Sequence, residues 1–384
     1  MKFLFTSNPL LGHFLPMVPL IRAAQAAGHQ VRVATGADLV LTVHRHGFPI
    51  WVVGPRMSQI WAELATSADP TQPQAEQQRH AAITLFARPA IARARQLVPM
   101  AEAWRPDVVV HELYELAGWE AAAVSGAVDI VHGFGTHLPD LPDFARLVGS
   151  VIAEGLGTPN RAADSFSAPY IDPCPPSLQP PEVDLFRDVV GIRPEVGVVG
   201  DGERLPEAMR RLPYKRTIYL TLGTVFNDPD AWWHALEAVR DLEVNVIATT
   251  GTDIDPAVFG PQPGHVAMAQ FVPQALVLKH VDAVVCHAGS GTMLGALAEG
   301  RPIVALPMAA DQFANAEQIV RTGAGLTVGP EERTPDTIRS AVNEVLGGLS
   351  FAQAAYALQA EIAAMPSADQ RLPELADRAA VHAA

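Results

Sequence analysis

Strand-sized apolar runs alternate with helix-length segments along this chain in two series, separated by a stretch too rich in proline to continue either. Such alternation specifies parallel sheets, because parallel neighbours need long crossovers and a helix is the usual crossover. In the first series, strands are predicted at Lys2–Ser7, Gln30–Thr35, near Ile50–Val53, at Asp107–His111 and at Ile130–Gly133. Helices are predicted at Leu15–Ala27, closed by Gly28, over Gln74–Glu102, with an apolar stripe of Ile83, Phe86, Ala90 and Leu97, and at Ala117–Ser125. The interruption, Asp172–Pro194, carries Pro173, Pro175, Pro176, Pro180, Pro181 and Pro194, a density that disfavours helix and central strand alike. The second series has strands at Thr217–Thr221, Asn245–Thr249, Val266–Ala269, Ala283–Cys286 and Ile303–Leu306. Its helices are Trp232–Leu242, Ala275–Lys279, Thr292–Glu299, Ala314–Thr322 and others beyond Pro335. With 384 residues the chain exceeds one domain of roughly 100–200 residues, so two α/β halves with a ligand cleft between them are expected.

Composition narrows the partners. Lys and Arg number 27 against 41 Asp and Glu, a formal charge of −14, so neither nucleic acid nor an anionic membrane surface is expected as a partner. Cys174 and Cys286 alone make no disulfide framework, which fits a reducing cytoplasm. The N-terminus has the charge and apolar content of a signal peptide, but Asn8, Pro9, Gly12, His13 and Pro16 break it, and strand–loop–helix accounts for all of it. No uncharged apolar run reaches the ~18 residues of a membrane span.

The most informative segment is Ala283-Val-Val-Cys-His-Ala-Gly-Ser-Gly-Thr292, a buried strand turning through small residues into a helix. Gly289 and Gly291 let backbone approach a ligand. Ser290 and Thr292 are placed to cap a helix whose first N–H groups and dipole favour phosphate. His287 is placed to add a charge-assisted hydrogen bond. A capped turn beside a core histidine would have the same sequence. Around it lie Phe271-Val-Pro-Gln274, Gly300-Arg-Pro302 and Asp311-Gln312.

On these motifs the C-terminal half resembles the donor domain of family 1 glycosyltransferases, and the pattern covers the chain almost end to end. The resemblance implies a GT-B fold, two Rossmann-like parallel-sheet domains facing each other across a cleft. Residues 1–195 would form the acceptor domain, with a terminal helix at about 365–384 packing back on it. Residues 172–204 would be the linker region and 205–360 the donor domain. The resemblance further implies that Val272 meets the base through its backbone with Gln274 nearby. Gly12 and Thr224 would lie against the donor, while His287, Gly289, Ser290, Gly291 and Thr292 would hold the diphosphate. Asp311 and Gln312 would hold sugar hydroxyls. Many UDP-sugar relatives place a glutamate where Gly295 stands here, to grip both ribose hydroxyls. A deoxyribose lacks the 2′-hydroxyl, so dTDP-sugars are the expected donors, as in similar enzymes of actinobacterial antibiotic and polyketide pathways. A glycine that simply lets the helix pack closely is the alternative.

His13 follows the first strand, at the carboxyl edge where parallel sheets keep their sites. A histidine's ordinary pKa of roughly 6.5 suits proton abstraction near neutral pH. The resemblance makes His13 the general base and Glu112, ending the strand Asp107–His111, its orienting partner; Glu115 is a second candidate, and a solvated carboxylate the structural alternative. The expected reaction is metal-independent, inverting transfer of a deoxysugar to a hydrophobic aglycone, without a cofactor beyond the nucleotide-sugar co-substrate. Trp61, Phe86, Phe134 and Phe144 are candidate acceptor walls, each equally a core residue by type. Attack by carbon or nitrogen instead of oxygen, and a monomer or homodimer, stay open. Other readings fit less well: no GxGxxG follows the first strand, His111-Glu112 lacks the second histidine of HExxH, and GxSxG and GxxxxGK are absent. A nucleotide-sugar epimerase or hydrolase on the same fold, and a catalytically idle partner protein, are the alternatives.

Overall fold

A computed structural model describes residues 1–162, 164–195, 197, 203–223, 229–251 and 254–382. The chain divides into two compact units. One comprises Met1–Pro173, Pro181–Ile192 and Pro366–Ala384; the other comprises Cys174–Pro180 and Arg193–Met365.

The first unit is built on seven parallel strands: β1 (Lys2–Thr6), β2 (Gln30–Thr35), β3 (Ile50–Val52), β4 (Val108–Glu112), β5 (Val128–His132), β6 (Tyr170–Asp172) and β7 (Val189–Gly191). Their order is β3-β2-β1-β4-β5-β6-β7. The central strands read as continuous apolar runs because helices cover both faces. Phe3 and Phe5 of β1 join Val108 and Val110 of β4 in one core layer, packed under the helix Val18–Ala26. Leu4 and Val109, pointing the other way, join Ala94, Leu97 and Ala101 of the helix Arg88–Trp104. The terminal helix Ala368–His382 sets Ala368, Leu372 and Leu375 into the first of these layers.

The second unit has six parallel strands: β8 (Thr217–Thr221), β9 (Asn245–Thr249), β10 (Val266–Ala269), β11 (Ala283–Cys286), β12 (Ile303–Ala305) and β13 (Gly325–Thr327), in the order β10-β9-β8-β11-β12-β13. Each sheet therefore reverses its winding once, between β1 and β4 and between β8 and β11. Loops at the carboxyl ends of such a reversal diverge and leave a crevice.

Several local expectations change. The predicted helix Leu15–Ala27 begins earlier, as a single turn Leu11–Phe14, a 3₁₀ turn Leu15–Met17 and the helix Val18–Ala26, so His13 is helical instead of in a loop. The segment Gln74–Glu102 contains a π-helical stretch, Ile83–Ala87, between two α-helices. The proline-rich stretch still yields a 3₁₀ turn, Pro176–Leu178, and β7, an edge strand of three residues that contains no proline. Helices Met57–Ser67 and Leu141–Leu156 were not expected from the pattern. No described helix is long and apolar enough to cross a membrane.

Candidate active site

In the first unit, the reversal between β1 and β4 brings His13 to Glu112. The single turn Leu11–Phe14 directly follows β1, and Glu112 is the last residue of β4, whose register sets His111 beside Thr6. His13 Nδ1 lies 2.9 Å from Glu112 Oε1; the histidine side chain is 17% exposed and the carboxylate fully buried. Oε1 also accepts from Asn8 Nδ2 at 2.7 Å and the Asn8 amide at 3.3 Å, and Oε2 accepts from the Tyr114 amide at 2.8 Å. Burial opposes ionisation of Glu112, but the adjacent His13 and these donors outweigh it and hold the carboxyl below the usual carboxylate range. Because an ionised carboxylate only accepts, His13 Nδ1 carries the proton of this hydrogen bond, which leaves Nε2 as the basic nitrogen. Glu115, the other candidate, is committed elsewhere: it accepts from Arg93 Nη1 at 2.7 Å and from the amides of Ala117 and Gly118, which start a helix. Gly12 is exposed, and a Cβ added there would meet nothing within 4 Å.

Aromatic side chains border His13. The Phe134 ring lies 4.8 Å from the imidazole, and the Tyr114 ring 6.4 Å. Tyr114 in turn meets Phe134, Phe144 and Phe86 at 5.7, 5.2 and 5.5 Å between centroids. Three of the four predicted wall residues thus form one half-buried cluster, and Tyr114 links them. Phe86 comes from the π-helical stretch, a distortion frequent at functional sites. Trp61 stands half-buried on the helix Met57–Ser67.

In the second unit, the loops after β8 and β11 meet at the other reversal. His287 is packed between two glycines: a Cβ at Gly223 would lie 2.6 Å from its Nε2, and one at Gly289 only 2.4 Å. Gly289 is therefore required by the histidine ring, whereas a Cβ at Gly291 would meet open space. Burial pushes the His287 pKa down to about 4, against the charge of Asp311 and a hydrogen bond to the Thr221 carbonyl, so the ring is neutral at pH 7. The expected charge-assisted bond is thus not built into this state. Its Nδ1 is buried without a partner among the described residues.

The helix Ser290–Ala298 starts with no side-chain cap, contrary to expectation. Ser290 Oγ instead donates to Asp311 Oδ2 at 2.6 Å, and Thr292 Oγ1 to Gln274 Oε1 at 3.2 Å. The two hydroxyls tie neighbouring segments to the helix start and leave its leading amides uncapped by side chains, as an anion site needs. Val272 buries its side chain in the core beside Gln274, and Gly295 is buried within the helix. Gln312 is buried, its Oε1 accepting from the amides of Met308 and Ala309 and so shaping the loop before Asp311. Ala288 and Ala310, flanking these segments, hold positive φ angles of 61° and 54°, a strained conformation for residues with a Cβ. Thr224 lies outside the described residues.

Three residues that sequence reasoning did not single out organise these sites. Asn8 and Tyr114 contact Glu112 or His13. Asn315, fully buried, donates from Nδ2 to the Ala288 carbonyl, Ser290 Oγ and Asp311 Oδ2 at 2.9, 3.0 and 2.9 Å. Its position four residues after Asp311 on one helix was the available signal.

Residues 22–223 match the family model of the erythromycin biosynthesis protein CIII-like N-terminal domain, and residues 233–377 that of its C-terminal domain. An L-demethylnoviosyl transferase of Streptomyces niveus is 33% identical over 358 residues, covering 91% of this chain and 90% of the relative. The 10-deoxymethynolide desosaminyltransferase of Streptomyces venezuelae is 28% identical, covering 100% and 98%. Among solved structures, the glycosyltransferase SsfS6 of Streptomyces sp. SF2575, complexed with thymidine diphosphate, superposes with a TM-score of 0.79 at 26% identity, over 98% of this chain and 99% of that one.

Proposed function

Since the chain belongs to the erythromycin biosynthesis protein CIII-like family of GT-B glycosyltransferases, we propose that it transfers a deoxysugar from a dTDP-sugar to a hydrophobic natural-product aglycone with inversion at the anomeric carbon. The observation that carries the chemistry is the 2.9 Å contact of His13 Nδ1 with a Glu112 carboxylate saturated by donors. Nε2 of His13 takes the proton of an acceptor hydroxyl. The oxygen attacks the anomeric carbon from the face opposite the diphosphate, the bond from that carbon to the diphosphate oxygen breaks, and dTDP leaves. Glu112 stabilises the imidazolium formed, as the carboxylate of a catalytic triad does.

On the donor side, the amides opening Ser290–Ala298 receive the charge that develops on the diphosphate, a preorganised stabilisation that needs no metal ion. His287, neutral and with its one N–H turned to the Thr221 carbonyl, borders the same group, and Asp311, fixed by Ser290 and Asn315, accepts from sugar hydroxyls. Gly295 favours dTDP over UDP, because no carboxylate stands there to reward a 2′-hydroxyl. The solved relative holding thymidine diphosphate supports the nucleotide, and the relative named for 10-deoxymethynolide supports an apolar acceptor. The Phe86–Tyr114–Phe134–Phe144 cluster is the surface assigned to that acceptor.

Thermal unfolding with dTDP and UDP in parallel tests the donor half. A ligand at ~100 times its dissociation constant stabilises by about 2.7 kcal/mol, and dTDP is expected to exceed UDP. UDP prevailing would overturn the nucleotide assignment, and no response to either would overturn the donor site. His13→Ala is expected to keep the dTDP response and lose transfer.

A further inference from the structure

Beyond the pair itself, a buried polar chain runs back from Glu112 into the first unit, and packing does not explain it. Arg93 lies mid-way along the helix Arg88–Trp104, only 1% exposed, in a stripe otherwise made of Ala90, Ala94, Leu97 and Ala101. Its Nη1 donates to Glu115 Oε1 at 2.7 Å and to Asn8 Oδ1 at 3.1 Å. Its Nε and Nη2 have no partner among the described residues. A buried ion pair with orphan donors stabilises a fold less than apolar residues of similar volume do.

What the guanidinium does is decide the orientation of an amide. Arginine has only donors, so Asn8 turns its oxygen to Arg93 and its nitrogen away. Nδ2 then donates to Glu112 Oε1 at 2.7 Å and to the Tyr114 carbonyl at 2.9 Å. The reversed amide would set N–H against guanidinium and oxygen against both carboxylate and carbonyl. Gly54, with a φ of 81°, closes over the guanidinium so tightly that a Cβ there would lie 3.3 Å from Nε. Among the described residues, the charged and titratable groups around Glu112 include His13 from the turn after β1, His111 before it on β4, whose Nδ1 lies 3.1 Å from the Glu112 carbonyl, Tyr114 two residues on, His132 beside it on β5, and Arg93 with Glu115 behind Asn8.

We propose that Arg93 and Asn8 are positioning residues for the His13–Glu112 pair: Arg93 locks the Asn8 amide so that its Nδ2 donates to Glu112 Oε1 and holds that oxygen on His13 Nδ1. The inference rests on the reading of His13 as the general base, and its test separates the two.

The full-length protein is labelled at histidine and His13 is titrated by NMR, its resonance assigned by its loss in His13→Gln. Asn8→Asp keeps an acceptor for Arg93 but sets a second carboxylate against Glu112. The His13 titration is expected to move up by about one pH unit, the usual effect of an added opposite charge nearby. The second variant, Arg93→Met with Glu115→Gln, removes both buried charges together and serves if Asn8→Asp does not fold. There the amide loses its lock, and kcat for aglycone-dependent release of dTDP from a dTDP-sugar is expected to fall about 10-fold with the KM for the dTDP-sugar unchanged. A merely structural role would lower the Tm of the double variant without splitting kcat from KM. A titration identical to wild type in Asn8→Asp, or a double variant with wild-type kcat, overturns the proposal. A wild-type protein that transfers no sugar while Asn8→Asp still shifts the titration overturns only the reading of His13 as base.

Discussion

Replacing Glu112 with glutamine tests the dyad at its least forgiving atom. The carboxylate takes four donors: His13 Nδ1, Asn8 Nδ2 and the Asn8 amide on Oε1, and the Tyr114 amide on Oε2. Glutamine has one oxygen. If that oxygen replaces Oε1, the new NH2 faces the Tyr114 N–H; if it replaces Oε2, the NH2 faces three donors and forces His13 into the opposite tautomer. Either way the counter-charge to the imidazolium is lost. A hydrogen bond to a charged group contributes about 1.5–3 kcal/mol, and the lost charge attraction at ~3 Å adds to it. A transition-state loss of about 3–4 kcal/mol follows, a fall in kcat of about 10²- to 10³-fold. The assay is aglycone-dependent dTDP release, with dTDP binding measured separately as a control on folding. Because Glu112 touches no group assigned to the donor, dTDP affinity should stay within about twofold of wild type. A Glu112→Gln protein that keeps more than about a third of wild-type kcat would mean that His13 does not need the carboxylate.

Three further outcomes follow. Gly289→Ala meets the His287 ring at 2.4 Å while its φ of −62° tolerates any residue, so the collision alone should cost about 1–3 kcal/mol of stability and weaken dTDP binding, read by calorimetry. Asn315→Ala leaves Asp311, Ser290 and the strained Ala288 carbonyl each without one donor, and should raise the KM for the dTDP-sugar at least about 10-fold, in steady-state kinetics, while sparing the His13 titration. Burial depresses His132 and His287 from 6.5 to about 4. The unfolded chain therefore binds more protons between those values, and stability present above pH 6.5 is lost as pH falls towards 4. Each histidine should remove about 2 kcal/mol between pH 7 and pH 5. Denaturant unfolding at the two pH values checks this, with His132→Gln showing the smaller loss.

The legible parts of this protein are those whose physics is local. β1, β4, β8 and β11 read as apolar runs because both faces of each sheet are covered. The turn at Gly289–Thr292 is marked by a run of small residues set between a buried strand and a helix. β6 and β7 escaped because, near Pro173 and Pro194, the prolines speak louder than the intervening valines, and β13 because Gly325-Leu-Thr327 has one apolar residue and no apolar run like those of β3 and β12. Asn8, Arg93 and Tyr114 escaped for a different reason. Asn8 is bound to Glu112 across 104 positions and to Arg93 across 85, so nothing in its neighbourhood of sequence predicts either contact. Arg93 did leave a trace, as a charge inside the stripe Ala90-Ala94-Leu97-Ala101. Gly289 was legible as necessary but for another reason: the sequence suggests room for a ligand, and the structure requires room for His287.

The most direct measurement combines the protein with a dTDP-deoxysugar, with and without a panel of polyketide aglycones, and determines dTDP release and the anomeric configuration of the product by NMR. Release of dTDP is expected to depend on aglycone and on His13 and to give a glycoside whose configuration is opposite to that of the donor. Retained configuration, or dTDP released equally well without aglycone, would contradict the proposed transfer with inversion.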